Sequence, residues 1–202
     1  MKPGFQKLCF GAALLLGLQS GAQAAYVGGN PMSYADPSGL VIEYANHEVT
    51  FGMYHSKIII TPDNQAAYVN DARFRQFDAQ GRRFATIGAG PVGLLRLAYG
   101  VNRDRDVNTP AAFRKTLDLP CEYSNEDEAI QRLFELGNIY NQSRKGYTLI
   151  PQNILGVPTG WNSNSFISGI GAAAGFHMPA PGETGFPTPG YQNPLPRRFF
   201  GP

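Results

Sequence analysis

From residue 49 onward, β-branched and aromatic residues gather in short runs separated by turn-forming residues, the pattern of strands rather than long helices. Val49-Thr50-Phe51-Gly52-Met53-Tyr54 and Lys57-Ile58-Ile59-Ile60-Thr61 predict two strands. Pro62-Asp63-Asn64 is turn chemistry, and Ala67-Tyr68-Val69 is the candidate for a returning strand. Phe74 and Phe77 flank Arg75-Gln76, Asp78-Ala79-Gln80-Gly81 then turns, and Arg83-Phe84-Ala85-Thr86-Ile87 is the expected partner strand. Leu94 to Tyr99 fits a strand or a helix.

Two stretches switch to a helical period. Ser124 and Asn125 are candidate N-caps, with Asp127 and Glu128 three residues on as capping-box partners. Ala129, Ile130, Leu133 and Phe134 form one apolar stripe, and Gly137 is the expected end. The second helix is expected from Ser163–Ser165 to about Ala174, with Phe166, Ile167 and Ile170 inward. Its glycines, Gly169 and Gly171, cost about 1 kcal/mol each against Ala, so burial must hold it together. These elements predict an α+β domain over residues 41–177, an antiparallel sheet with two or three helices. Residues 178–202, with seven prolines and four glycines, predict an extended segment that lies along the domain or hangs free.

Composition adds compartment and charge. Residues 1–24 read as a secretory leader: Lys2 and Lys7, an apolar run from Leu8 to Leu18, then Ala22-Gln23-Ala24 as a small-x-small cleavage site. The run is shorter than the roughly 20 residues that span a bilayer, so export to a periplasmic or extracellular location is expected, with no stable membrane span after cleavage. The leader carries two of the 17 basic residues and none of the 15 acidic ones, so the remaining chain is formally neutral. No overall field favours nucleic acid. Only Cys121 remains beyond the leader, which excludes an internal disulfide and Cys-rich zinc sites.

The candidate chemistry lies in two distant pieces. His55 opens a strong strand in Tyr54-His55-Ser56-Lys57, and Asn162-Ser163-Asn164-Ser165-Phe166 opens a helix. Unpaired N–H groups at a helix start favour a developing anion. A hydroxyl there, with an imidazole from a neighbouring strand, is a minimal acyl-transfer arrangement: Ser163 as nucleophile, His55 as base, backbone N–H groups with Asn162 or Asn164 as oxyanion or supporting groups. The two motifs, in this order, resemble those of circularly permuted papain-like peptidases of the PPPDE type, with Tyr147-Thr148-Leu149 as a preceding element and Ser163 in place of the nucleophilic cysteine. The resemblance implies a permuted papain-like fold and an amide or ester substrate. Serine, far less acidic than cysteine, needs a true general base.

Tyr26 to Leu40, with Asn30-Pro31 and Asp36-Pro37-Ser38-Gly39-Leu40, resembles the boundary that ends the core domain of Rhs-repeat proteins. Residues 25–40 are then a linker. The resemblance implies that the chain beyond residue 40 is a cargo module such as a toxin or effector, with an immunity protein among its conceivable partners.

Two other constellations compete. Gly88-Ala89-Gly90-Pro91-Val92-Gly93 after Thr86-Ile87 matches a dinucleotide fingerprint, but no second strand ending in a ribose-binding acid comes after it, so no cofactor is expected. Cys121, with His177, is an alternative nucleophile, although Glu122 beside it disfavours a thiolate. Arg73, Arg75, Arg82, Arg83, Arg103 and Arg105 are interleaved with acids and read as solvated surface. No His/Asp/Glu group has metal spacing. The functional expectation is a hydrolase or acyl transferase; the competing one is a binding or structural module of the same fold.

Overall fold

The computed structural model describes residues 42–201 except 94, 155 and 156. The leader and the Rhs-like boundary, residues 1–24 and 25–40, lie outside the described residues. The architecture is α+β: an antiparallel six-stranded sheet and three helices.

The sheet is built from β1 (Ile42–Thr50), β2 (Met53–Ile60), β3 (Gln76–Phe77), β4 (Arg83–Val92), β5 (Arg96–Val101) and β6 (Phe113–Thr116). Its order is β3-β4-β2-β1-β6, with β5 paired to the second half of β4. A separate two-stranded ladder joins β7 (Asn153–Ile154) to β8 (Val157–Pro158). The helices are α1 (Asp104–Asn108), α2 (Glu126–Gln142) and α3 (Ser163–Ala173).

The run from Val49 to Tyr54, expected as one strand, is instead a hairpin turn: Phe51 (φ 47°) and Gly52 (φ 70°) reverse the chain between β1 and β2. Two consecutive left-handed residues are what a tight hairpin with right-twisted strands requires. Ala67 and Tyr68 end a single 3-10 turn capped by Asn64, not a strand. The helix starting at Glu126 is capped as expected: Glu128 N–H donates to Asn125 Oδ1 at 3.0 Å, and Ser124 N–H donates to Glu128 Oε2 at 2.8 Å. It does not stop at Gly137 but continues to Gln142. Gly137 serves packing, since a Cβ there would sit 2.4 Å from the Tyr99 ring.

The core lies where α3 packs on β2 and β4 and α2 packs on β5 and α3. Ile58, Ile60, Ile87 and Leu97 from the sheet meet Phe134, Tyr140, Phe166 and Ile170 from the helices, all essentially inaccessible to solvent. The Pro/Gly-rich segment is stitched into this core. Leu195 N–H donates to Ser165 O, Tyr54 N–H donates to Pro187 O, and the Phe200 ring packs against Tyr140 and Phe166.

Candidate active site

The two pieces of chain that carry the candidate chemistry meet. Register places His55 and Lys57 two residues apart on β2, so both side chains leave the same face of the sheet. His55 Nδ1 lies 2.8 Å from Ser163 Oγ, across 108 residues of sequence. On the other edge of the ring, Nε2 lies 2.9 Å from Asp106 Oδ1. The contact with a carboxylate favours the tautomer with its proton on Nε2, which leaves Nδ1 as the acceptor for the Ser163 hydroxyl. Serine, histidine and aspartate therefore form one continuous line. Asp106 is 1 % exposed and Ser163 8 %.

Each member is held from behind. Ser163 is the first residue of α3, whose N-cap is Asn162. The Asn162 Oδ1 accepts from Asn164 N–H at 2.9 Å and Ser165 N–H at 3.1 Å, and its amide donates to Leu149 O and Pro189 O. Asn164 Oδ1 accepts from Ser56 N–H at 2.6 Å, while its amide donates to Tyr54 O and Pro189 O. Both asparagine amides thus face carbonyls. Asn164 clamps the helix start to the backbone on either side of His55, Asn162 ties it to Leu149 and Pro189, and together they leave the Ser163 N–H, one of those a helix cannot satisfy internally, as the backbone donor beside the Ser163 hydroxyl.

Asp106 is positioned through its backbone as well as its side chain. The buried Lys57 ammonium donates to Asp106 O at 2.5 Å and to Thr109 O at 2.9 Å. Burial pushes the Lys57 pKa down to about 8, with Asp106 opposing that shift. His47, 5.1 Å from His55 between ring centroids, is also buried. Burial first, then repulsion from His55 and Lys57, pushes its imidazole down to about 4.

The glycine motif has a different role from the fingerprint it resembles. Gly88 and Gly90 lie in β4, Gly93 lies in the turn after it, and β5 returns antiparallel, so no helix N-terminus stands there to receive a pyrophosphate. A Cβ at Gly88 would sit 1.9 Å from Asp106 Oδ2, and one at Gly90 would sit 2.2 Å from the Arg103 guanidinium. The two bare positions, alternating on one face of a strand, make the room in which Asp106 and Arg103 lie. Cys121 is exposed and unpaired, and it does not line the cleft that holds Ser163. Arg103 and Arg105, expected as solvated surface, do line that cleft.

The cleft in front of the triad has a volume of about 410 Å³ and is walled by Met53, Tyr54, Gly90, Arg103, Tyr147 and Leu149. That size is within the range of small-molecule and peptide-side-chain sites. Among the described residues, no group of three or more His, Cys, Asp or Glu side chains could hold a metal ion, and no helix is long and apolar enough to cross a membrane.

Asp106 is the site residue that the sequence does not announce. It sits in Arg103-Asp104-Arg105-Asp106, where every charge looks equally solvated. Two signals point to it: a lysine inside an apolar strand two residues from His55, which needs buried acceptors, and glycines at alternate positions of a strand, which need something large against them.

No family model, curated protein or solved structure matches this chain.

Proposed function

We propose that the protein is a serine hydrolase or acyl transferase acting on an amide or ester bond, built on a permuted papain-like domain. The observation that carries this reading is the line from Ser163, hydrogen-bonded to His55, to the buried Asp106 carboxylate 2.9 Å from the far nitrogen of the same ring, opening on a cleft at the start of α3. Chain order supports the permuted arrangement: the histidine strand comes first and the nucleophile helix later, and α3 packs directly on β2.

Ser163 Oγ attacks the acyl carbon while His55 Nδ1 takes its proton. Asp106 stabilises the imidazolium that forms. The charge on the former carbonyl oxygen develops beside the Ser163 N–H, at the positive end of the α3 dipole. His55 then gives the proton to the departing amine or alcohol, leaving Ser163 as an ester. Water, or another acceptor, attacks that ester with His55 again as base. The acid or transferred product leaves with the serine restored. Export by the leader and carriage behind an Rhs-type boundary, as an effector-like module with an immunity protein as counterpart, complete the proposal.

The test is labelling of the purified domain with a neutral fluorophosphonate. Wild type is expected to label at Ser163, with Ser163→Ala blank and His55→Ala slowed at least a hundredfold. Equal labelling of all three removes the enzyme reading and leaves the binding module.

A further inference from the structure

The Arg103 side chain lies along the trough left by Gly88, Gly90 and Gly100, with its guanidinium over Gly90, its stem over Gly100, and Asp106 against Gly88. It is only partly exposed, 33 % of its side chain, and lines the cleft in front of Ser163. Its nearest acid is Asp106, whose Oδ2 stands 3.9 Å from Nε, beyond hydrogen-bond range, and whose other oxygen faces His55. Among the described residues the guanidinium makes no hydrogen bond, although it carries five N–H donors in a fixed plane. Arg105 lines the same cleft, and Asp106 is the sole acid among the described lining residues. The cleft therefore presents two cations against one carboxylate that is already engaged, in a chain whose overall charge is close to balanced.

Resting on the serine hydrolase reading, we propose that Arg103 is a specificity residue that selects substrates carrying an anionic group, a carboxylate or a phosphate, distal to the bond that Ser163 attacks. Arg103 is linked to the hydroxyl only through Asp106 and then the imidazole, so the proposal places the anion along the acyl chain or leaving group and not at the reacting carbonyl. A planar fork with free donors is suited to two parallel bonds with such an oxyanion pair.

A series of alkyl fluorophosphonates of increasing chain length, ending in a carboxylate, a phosphonate or a primary amide, measures this directly as rates of Ser163 labelling. At the chain length that reaches Arg103, one or both anionic probes are expected to label wild type about ten- to a hundredfold faster than the amide probe, the size of a hydrogen-bonded charge pair. The better tail distinguishes carboxylate from phosphate. The preference should shrink as salt rises. In Arg103→Gln the rates should converge, the anionic probe slowing about ten- to a hundredfold more than the amide probe. Arg103→Lys, which keeps the charge and loses the fork, should retain part of the preference. Equal rates for all tails in wild type, at every length, overturn the inference while leaving the hydrolase intact. An equal loss for all probes in Arg103→Gln also overturns it, since that marks a residue which only positions Asp106. Failure of every probe on wild type sinks the hydrolase reading itself, a different result from either.

Discussion

In the proposed mechanism Ser163 is a weak nucleophile at its ordinary acidity, and what raises it is one ring nitrogen held in the correct tautomer. Asp106 does the holding. Its replacement by the isosteric asparagine should leave the fold in place, because Lys57 contacts the backbone of residue 106 and not its carboxylate. Stopped-flow or gel labelling of Asp106→Asn should show a loss on the order of 10⁴ in the acylation step, as removal of the orienting carboxylate does in triads. His47 makes a separate claim. Its folded pKa, about 4, lies below the unfolded value near 6.5, so the unfolded state takes up a proton first. The stability it contributes is fully present above about pH 6.5 and is lost as pH falls toward 4. His55, Lys57 and Arg105 add repulsion to this, and Asp106 opposes it. Thermal midpoints measured across that window should fall with acid, and His47→Gln should flatten that part of the curve.

At the scale of elements, β2, β4 and α1 cooperate to bury one carboxylate. Gly88→Ala puts a methyl where Asp106 Oδ2 lies, and neither strand β4, paired on both edges, nor α1, gripped by Lys57, can retreat easily. The expected cost is about 1–3 kcal/mol of stability, typical of overpacking, read by urea denaturation. Labelling should fall by at least a hundredfold through displacement of Asp106. Ala at Gly182, where a Cβ has nothing within 4 Å, is the matched control and should change neither. The same level shows why some elements are legible in the sequence and others are not. The cap at Asn125 and the apolar stripe of α2 are local signals, and both stand in the fold. Gly137 does not end its helix, because a helix-breaking residue can be kept for a long-range contact, here with Tyr99. β1 is hidden because Asn46 and His47 are polar residues buried in a sheet, and their reason for being there lies on other strands.

Across the whole molecule, the proline-rich segment is structural. It supplies Pro187, Pro189 and Gly190 carbonyls to Tyr54, to Asn162 and Asn164, and to Ser165, which are the clamps of both halves of the site. It also buries Tyr191, Leu195 and Phe200 almost completely. Burying such side chains contributes about 1.5–3 kcal/mol each, together comparable with the roughly 5–15 kcal/mol margin of a typical domain. A chain ending at residue 186 should therefore show no cooperative thermal transition by circular dichroism, where the full chain shows one.

The sequence by itself determined what is local: strand runs, helix caps, a histidine ahead of an apolar strand, and a hydroxyl at a helix start. These arise from side-chain periodicity and backbone hydrogen-bonding needs within a few residues. Only the tertiary structure decided which of several charged residues came to stand against His55 and why β4 is bare at Gly88 and Gly90. It also decided that the terminal segment completes the site. Burial and pairing of a charge depend on neighbours far along the chain, and a run of alternating Arg and Asp looks the same whether one carboxylate is solvated or enclosed.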